Sequence, residues 1–157
     1  MNAAHWHLAM NHLPVVGALF ATCLLAFALW RKSDELIRVS LGALVAVAAL
    51  TVPVYLTGEP ADEVIMDIPE YDGALIKAHE QAAVVAFTAI VVVGLIALGG
   101  LIIHRKAAQL PRWLAVAVCG LALATSALLA WTANLGGKIH HPEVRSPAAM
   151  APAAKGD

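Results

Sequence analysis

Four long apolar segments alternate with polar connections along the chain, and this pattern predicts the architecture. Each segment has close to the 20 or so residues that a helix needs to cross the hydrocarbon core of a bilayer. None of them carries a charged residue in its middle. The segments span Leu13–Trp30, Val39–Thr57, Gln81–Ile103 and Trp113–Ala133. We therefore predict an all-α, integral-membrane four-helix bundle over residues 1–145, followed by a flexible or partner-bound tail at residues 146–157.

The composition also indicates a membrane protein. Hydrophobic residues make up 61% of the chain and charged residues 13%, whereas about 25% of the residues of a soluble domain are charged. The net charge of −1 gives no reason to expect nucleic acid as a partner, so the expected surroundings are a lipid bilayer. Cys23 and Cys119 both lie within apolar segments, where cysteine behaves as a small hydrophobic residue.

Basic residues predict the orientation, because lysine and arginine accumulate in cytoplasmic connections. Residues 31–38 and residues 104–112 contain three basic side chains each, whereas the loop at residues 58–80 has seven acidic residues and one lysine. We therefore expect both termini and the acidic loop on the outer, periplasmic side of a multi-pass protein in a bacterial inner membrane. Within that loop, residues 60–67 and 73–80 are predicted to form short surface helices.

This topology places six of the seven histidines at the outer side. They are His5, His7, His12, His79, His140 and His141. Histidine next to a membrane core is costly unless it has a partner, so such a group indicates a functional site. We also expect the Gly136-Gly137 pair to end the last helix and to turn the chain back over the bundle, which would bring His140 or His141 near the first helix. Pro14 is expected to kink the first helix near His12.

Bis-histidine ligation of b-type haem suits imidazoles that come from facing helices of a bundle. We predict one or two haems at the periplasmic face, with the axial ligands His7, His12, His79 and His141. The pairing is left open, and His140 is an alternative to His141. Arg145 is expected to pair with a haem propionate. The corresponding function is a membrane-bound electron-transfer subunit between the quinone pool and a periplasmic partner such as a c-type cytochrome, whose basic surface the acidic loop would attract.

Two other functions remain open at this point. The first is a site for copper or non-haem iron, for which His7, His12, His79 and His141 are again candidate ligands. His5, His7 and Met10 also resemble a set of copper ligands, and hard oxygen ligands are available from Glu59, Glu63, Glu80 and Glu143. Alternatively, the protein is a non-catalytic subunit that anchors or assembles a membrane complex, with the histidines as hydrogen-bonding groups at an interface. Motifs of stand-alone enzymes are absent from the sequence: for example, Glu80 follows His79 without the second histidine of an H-E-x-x-H metal site.

The stretch His7-Leu-Ala-Met-Asn-His12-Leu-Pro14 resembles the start of the first helix in a widespread group of bacterial four-helix membrane proteins of unknown function. That family has an HPLLVHFP-type motif there, with the same spacing between its histidines. The match departs at Leu8, where the family motif has proline.

The resemblance extends over roughly residues 5–145. The third helix of that family begins with a histidine, as His79 does here, and its fourth helix ends in two glycines followed by a histidine, similar to Gly136-Gly137 and His141. The resemblance implies a bundle of four helices and a histidine site. It brings no established activity.

Overall fold

Six α-helices make up nearly all of the chain that the computed structural model describes, which is residues 3–66, 71–141 and 144. The helices are α1 (Ala3–Met10), α2 (His12–Arg31), α3 (Asp34–Leu56), α4 (Gly58–Met66), α5 (Gly73–Ile103) and α6 (Arg112–His140). These residues contain no β-strand. The prediction of an all-α protein is therefore confirmed.

The helices α2, α3, α5 and α6 form an up-and-down bundle. Each packs against two others, in the order α2, α3, α5, α6 and back to α2. By length and composition, the described chain has four helical stretches long and apolar enough to cross a membrane. The short helices α1 and α4 pack mainly against each other at one end of the bundle. This end is called the histidine end below, because it contains His7 of α1 and His79 of α5.

The outside of the bundle is apolar. Trp30, Ile103 and Trp113 are 74%, 77% and 71% exposed, and many other large hydrophobic side chains are also on the surface. A soluble bundle would turn such residues inward, whereas in a bilayer they contact lipid. The exterior therefore suits a membrane, in agreement with the apolar segments of the sequence.

The interior of the bundle contains hydroxyl groups that are satisfied within their own helices. Those of Thr22, Ser40 and Thr51 each donate a hydrogen bond of 2.7 Å to the carbonyl group four residues earlier. Thr125 and Ser126 do the same at 2.8 Å. Satisfied hydroxyl groups and small residues let helices approach closely in lipid without a buried unpaired polar group.

At the end of the bundle opposite the histidines, polar contacts join α3 to the connection between α5 and α6. Asp34 binds Arg38 at 2.9 Å and accepts a hydrogen bond of 2.7 Å from the backbone N–H of Leu110. Arg38 also donates to the carbonyl groups of His104 and Ala107. These contacts stabilise the connection after α5 and leave Asp34 with two partners.

Two helices run further than the apolar pattern predicts. Helix α5 begins at Gly73, where Asp72 caps it by accepting a hydrogen bond from the N–H of Ala74 at 2.8 Å. Residues 73–80 are therefore the first two turns of α5 and not a separate surface helix, whereas the short helix predicted at residues 60–67 is present as α4.

The prediction that Gly136-Gly137 ends the last helix is wrong. Helix α6 continues to His140, and neither glycine adopts a positive φ.

The first helix is interrupted at Asn11, between α1 and α2. Pro14 has no N–H group, so the carbonyl group of Met10 loses the partner that it would have in a continuous helix. The backbone of Asn11 nevertheless keeps right-handed helical angles, with φ −61° and ψ −21°. The kink that Pro14 predicts near His12 is therefore a local distortion of the backbone at Asn11. Helix α1, which precedes it, packs on α4.

Gly94 marks the closest approach between α3 and α5. A Cβ atom added there would lie 2.5 Å from the Cβ of Ala48, whereas one added at Gly99 on the same helix would meet nothing within 4 Å. We expect Gly94→Ala to force the two helices apart, at a cost of about 1–3 kcal/mol. Gly99→Ala is the matched control and should leave stability equal or slightly raised. Thermal unfolding of the two variants in detergent, followed by circular dichroism, measures the difference; equal midpoints would contradict this packing.

Candidate functional site

His7 docks on the C-terminal end of α3. Its Nδ1 lies 3.1 Å from the carbonyl oxygen of Val54 and 3.4 Å from the hydroxyl oxygen of Thr57. Val54 belongs to the last turn of α3, where carbonyl groups lack backbone partners within the helix, and its oxygen also accepts a hydrogen bond of 2.9 Å from the hydroxyl group of Thr57. Because a carbonyl oxygen only accepts, Nδ1 of His7 must carry the proton and donate it.

His79 makes the same kind of contact in the second half of the chain. It lies in the second turn of α5, and its Nδ1 is 3.0 Å from the carbonyl oxygen of Thr132 on α6. That oxygen also only accepts, so Nδ1 of His79 is again the protonated nitrogen.

These hydrogen bonds determine which nitrogen carries the proton in each imidazole ring. In a neutral imidazole with its proton on Nδ1, the lone pair is on Nε2. Within the described part of the chain, Nε2 of neither His7 nor His79 has a hydrogen-bond partner. A histidine that ligates a metal typically shows this pattern, with one ring nitrogen donating to a carbonyl group and the other on the metal.

A glycine lies beside each ring, and at Gly136 its missing side chain makes room for the imidazole. A Cβ atom at Gly136 would lie 3.1 Å from Cε1 and 3.3 Å from Nδ1 of His79, and one at Gly58 would lie 3.6 Å from Cε1 of His7. In both cases the glycine comes four residues after the carbonyl group, Val54 before Gly58 and Thr132 before Gly136. Both halves of the chain therefore place a glycine next to the histidine ring, although the approach is tight only at Gly136.

Two carboxyl groups accompany the two imidazoles. Asp62 on α4 interacts electrostatically with His7 and is within hydrogen-bonding reach of Glu80, which in turn interacts with His79. His7 and His79 also lie close enough to interact with each other. Helices α1, α4 and α5 thus contribute four interacting titratable side chains to the histidine end.

Two other predicted ligands, His140 and His141, also lie at the histidine end. His140, at the end of α6, interacts electrostatically with His7, His79 and His141, and its ring meets that of Tyr71 edge-on with 5.5 Å between centroids. His141 follows α6 directly and is exposed. The structure therefore brings His140 and His141 to the same end as His7 and His79.

His12 is exposed at the start of α2 and shows no contact with these residues. Arg145, predicted to bind a haem propionate, lies outside the described residues. His104 ends α5 at the far side of the bundle, where its carbonyl group accepts a hydrogen bond from Arg38.

Asn11 is a residue of this end whose importance the sequence does not reveal. Its backbone N–H donates to the carbonyl group of His7 at 2.9 Å. Its side-chain Oδ1 is buried and has no hydrogen-bond partner among the described residues. A buried polar atom without a partner costs free energy, so it indicates a place for a group that can donate to it.

The described residues contain no group of three or more His, Cys, Asp or Glu side chains arranged to hold a metal ion. Comparisons with protein-family models, curated proteins and solved structures gave no match. Function is therefore inferred from the geometry of the histidine end.

Proposed function

We propose that the protein is a membrane-bound, b-type cytochrome-like electron-transfer subunit that holds haem at its histidine end through Nε2 of His7 and His79. The observation that carries the proposal is the pair of hydrogen bonds from Nδ1 to the carbonyl groups of Val54 and Thr132. These bonds set the tautomer and the direction of each ring before any ligand binds, as the outer partners of ligating histidines do.

The available ligands favour haem over a bare metal ion. Haem brings its own nitrogen ligands to the iron, so His7 and His79 would be enough to hold it. A copper or non-haem iron site draws three or more ligands from the protein, and the described residues hold no such group. Two oriented histidines therefore support haem, while copper or iron alone is the less supported alternative.

The residues around the two histidines have roles that follow from their contacts. Haem, when bound, supplies a one-electron couple. Val54 and Thr132 hold the rings and make them better electron donors through the hydrogen bonds to Nδ1. A second haem, bound by His12 with His140 or His141 and assisted by Arg145, stays a prediction.

The proposed setting is the bacterial inner membrane, with the histidine end toward the periplasm. Six basic residues at the opposite end support this orientation under the positive-inside rule. The acidic residues of α4 and its neighbouring loop would attract the basic surface of a c-type cytochrome, which makes such a protein the proposed partner, with the quinone pool on the other side of the electron transfer.

The haem and metal content of the purified protein tests this function. We expect haem b in stoichiometric amount when the chain is produced in cells supplied with haem precursor, with iron equal to haem and no copper. The measurement is a pyridine haemochrome assay together with elemental analysis of the same sample. Copper or iron without haem would replace the proposal with the bare-metal function. A folded protein with neither would contradict both and favour an anchoring or assembly subunit.

A further inference from the structure

A cavity of about 240 Å³ lies at the end of the bundle opposite the histidines. It opens where α2 ends and where α3 and α6 begin. Leu29, Ile37 and Leu110 line its apolar part, and Lys32 and Arg112 line its charged part. The volume is well above what a single water molecule needs, so the cavity has room for a small polar group.

The charge available in this cavity is positive. Asp34, which also lines it, is already bound to Arg38 and to the N–H of Leu110. Lys32 and Arg112 form no ion pair with any described residue, although Arg112 donates one weak hydrogen bond of 3.4 Å to the carbonyl group of Leu29. Arginine has five N–H donors, so most of them remain available for a ligand.

The backbone keeps Lys32 at the rim of the cavity. Among the described non-glycine residues, Lys32 is the one with a positive φ, at 54°. In this left-handed conformation its backbone N–H caps α2 by donating to carbonyl groups of the last turn. The side chain is exposed. A lysine in this position presents its ammonium group beside the apolar floor of the cavity.

The cavity also lies at the level of a membrane interface. Trp30 immediately precedes Arg31, and Trp113 immediately follows Arg112. Both tryptophans are among the most exposed side chains of the described chain. Exposed tryptophans on transmembrane helices mark the headgroup region of the bilayer. Arg31, Arg105 and Lys106 add positive charge nearby, against the single exposed acid Glu35.

We infer that this cavity binds the phosphate group of an anionic phospholipid. Lys32 and Arg112 contact the phosphate oxygens, and Leu29, Ile37 and Leu110 contact the apolar part of the same lipid. Basic pockets between transmembrane helices commonly recognise anionic headgroups in this way. The inference does not depend on haem, because the cavity and the histidines occupy opposite ends of the bundle.

Lipid titration of the purified full-length protein, followed by native mass spectrometry, tests this site. The probes are phosphatidylglycerol, phosphatidylcholine and inorganic phosphate. We expect phosphatidylglycerol to bind most tightly and inorganic phosphate to bind weakly, because only the lipid also fills the apolar part. Equal binding of phosphatidylcholine, or equal binding of inorganic phosphate, would overturn the assignment to an anionic lipid.

Two double variants separate the cavity from general surface charge. A cation near a membrane surface contributes about fivefold to the binding of an anionic lipid, so Lys32→Gln with Arg112→Gln should weaken phosphatidylglycerol binding on the order of thirtyfold. Arg105→Gln with Lys106→Gln removes the same charge from the same end outside the cavity and should have a much smaller effect. Equal losses in the two variants would contradict a specific site. The single variant Lys32→Gln, whose side chain has no ion pair or hydrogen bond within the described chain, should already weaken binding about fivefold.

Discussion

Replacing His79 with alanine is expected to remove stoichiometric haem from the purified protein, and His7→Ala should have the same effect. Each change deletes one of the two imidazoles whose Nδ1 is bound to a carbonyl group and whose Nε2 has no partner in the described chain. With either imidazole removed, the protein would hold the haem through one histidine only. Haem content and the visible spectrum of the reduced protein measure the effect directly.

Two other histidines provide the controls for this experiment. His104→Ala changes the same residue type at the opposite end of the bundle and should retain full haem content. His12→Ala tests whether a second haem exists, because His12 is exposed and separate from His7 and His79 in the structure. Retention of an unchanged spectrum in both His7→Ala and His79→Ala would contradict their role as ligands.

Gly136→Ala is expected to weaken haem binding without destabilising the fold. The added Cβ would lie 3.1 Å from Cε1 of His79, so the ring must move and its hydrogen bond to Thr132 must loosen. Disturbing the outer partner of a ligating histidine typically costs about 10–100-fold in affinity. At the same time, alanine favours helix over glycine by about 1 kcal/mol, so the variant should unfold no more easily than the wild-type protein.

Two other glycines make this prediction specific. Gly137→Ala introduces the same methyl group one residue later, where a Cβ meets nothing within 4 Å, and it should leave haem affinity unchanged. Gly58→Ala should have a small effect, since its Cβ would lie at an ordinary contact distance of 3.6 Å from His7. Haem titration and thermal unfolding of the three variants distinguish these outcomes, and equal affinities for Gly136→Ala and Gly137→Ala would contradict the proposed role of Gly136.

The fold can be predicted from the sequence because the bilayer imposes simple requirements. Apolar segments of about 20 residues with polar connections define helices that are long enough to span, and the structure contains such helices. Their ends are less predictable. Residues 73–80 lie next to the acidic loop and contain Lys77, His79 and Glu80, which favours a separate surface helix, yet Asp72 caps them and they continue into α5. Hydrophobicity marks the part of a helix that meets lipid, and not where its hydrogen bonding begins.

The histidine end can be predicted only in part. A concentration of histidines at one side of the membrane indicates a site, but it does not tell which of them are oriented. His12 is part of the same short motif as His7, yet only His7 reaches a carbonyl group of α3. The sequence also suggests the wrong role for Gly136, because two adjacent glycines usually mark a helix end. Here the missing side chain serves the approach of His79 from another helix, which is a tertiary contact with no local signal.

The spacing shared by the two halves would be difficult to recognise without the structure. Val54 and Gly58 are four residues apart, as are Thr132 and Gly136, but the intervening residues differ. Only the contacts of His7 and His79 show that each pair consists of the carbonyl group and the glycine beside a histidine ring. Their correspondence supports treating the two histidines as a matched pair of ligands.

The reduced-minus-oxidised visible spectrum of the purified wild-type protein tests the central claim most directly. Two neutral imidazoles on one iron predict a low-spin haem with the sharp alpha band of a b-type cytochrome. A protein that is helical by circular dichroism, comes from cells supplied with haem precursor and shows no such band would contradict the proposed cytochrome function.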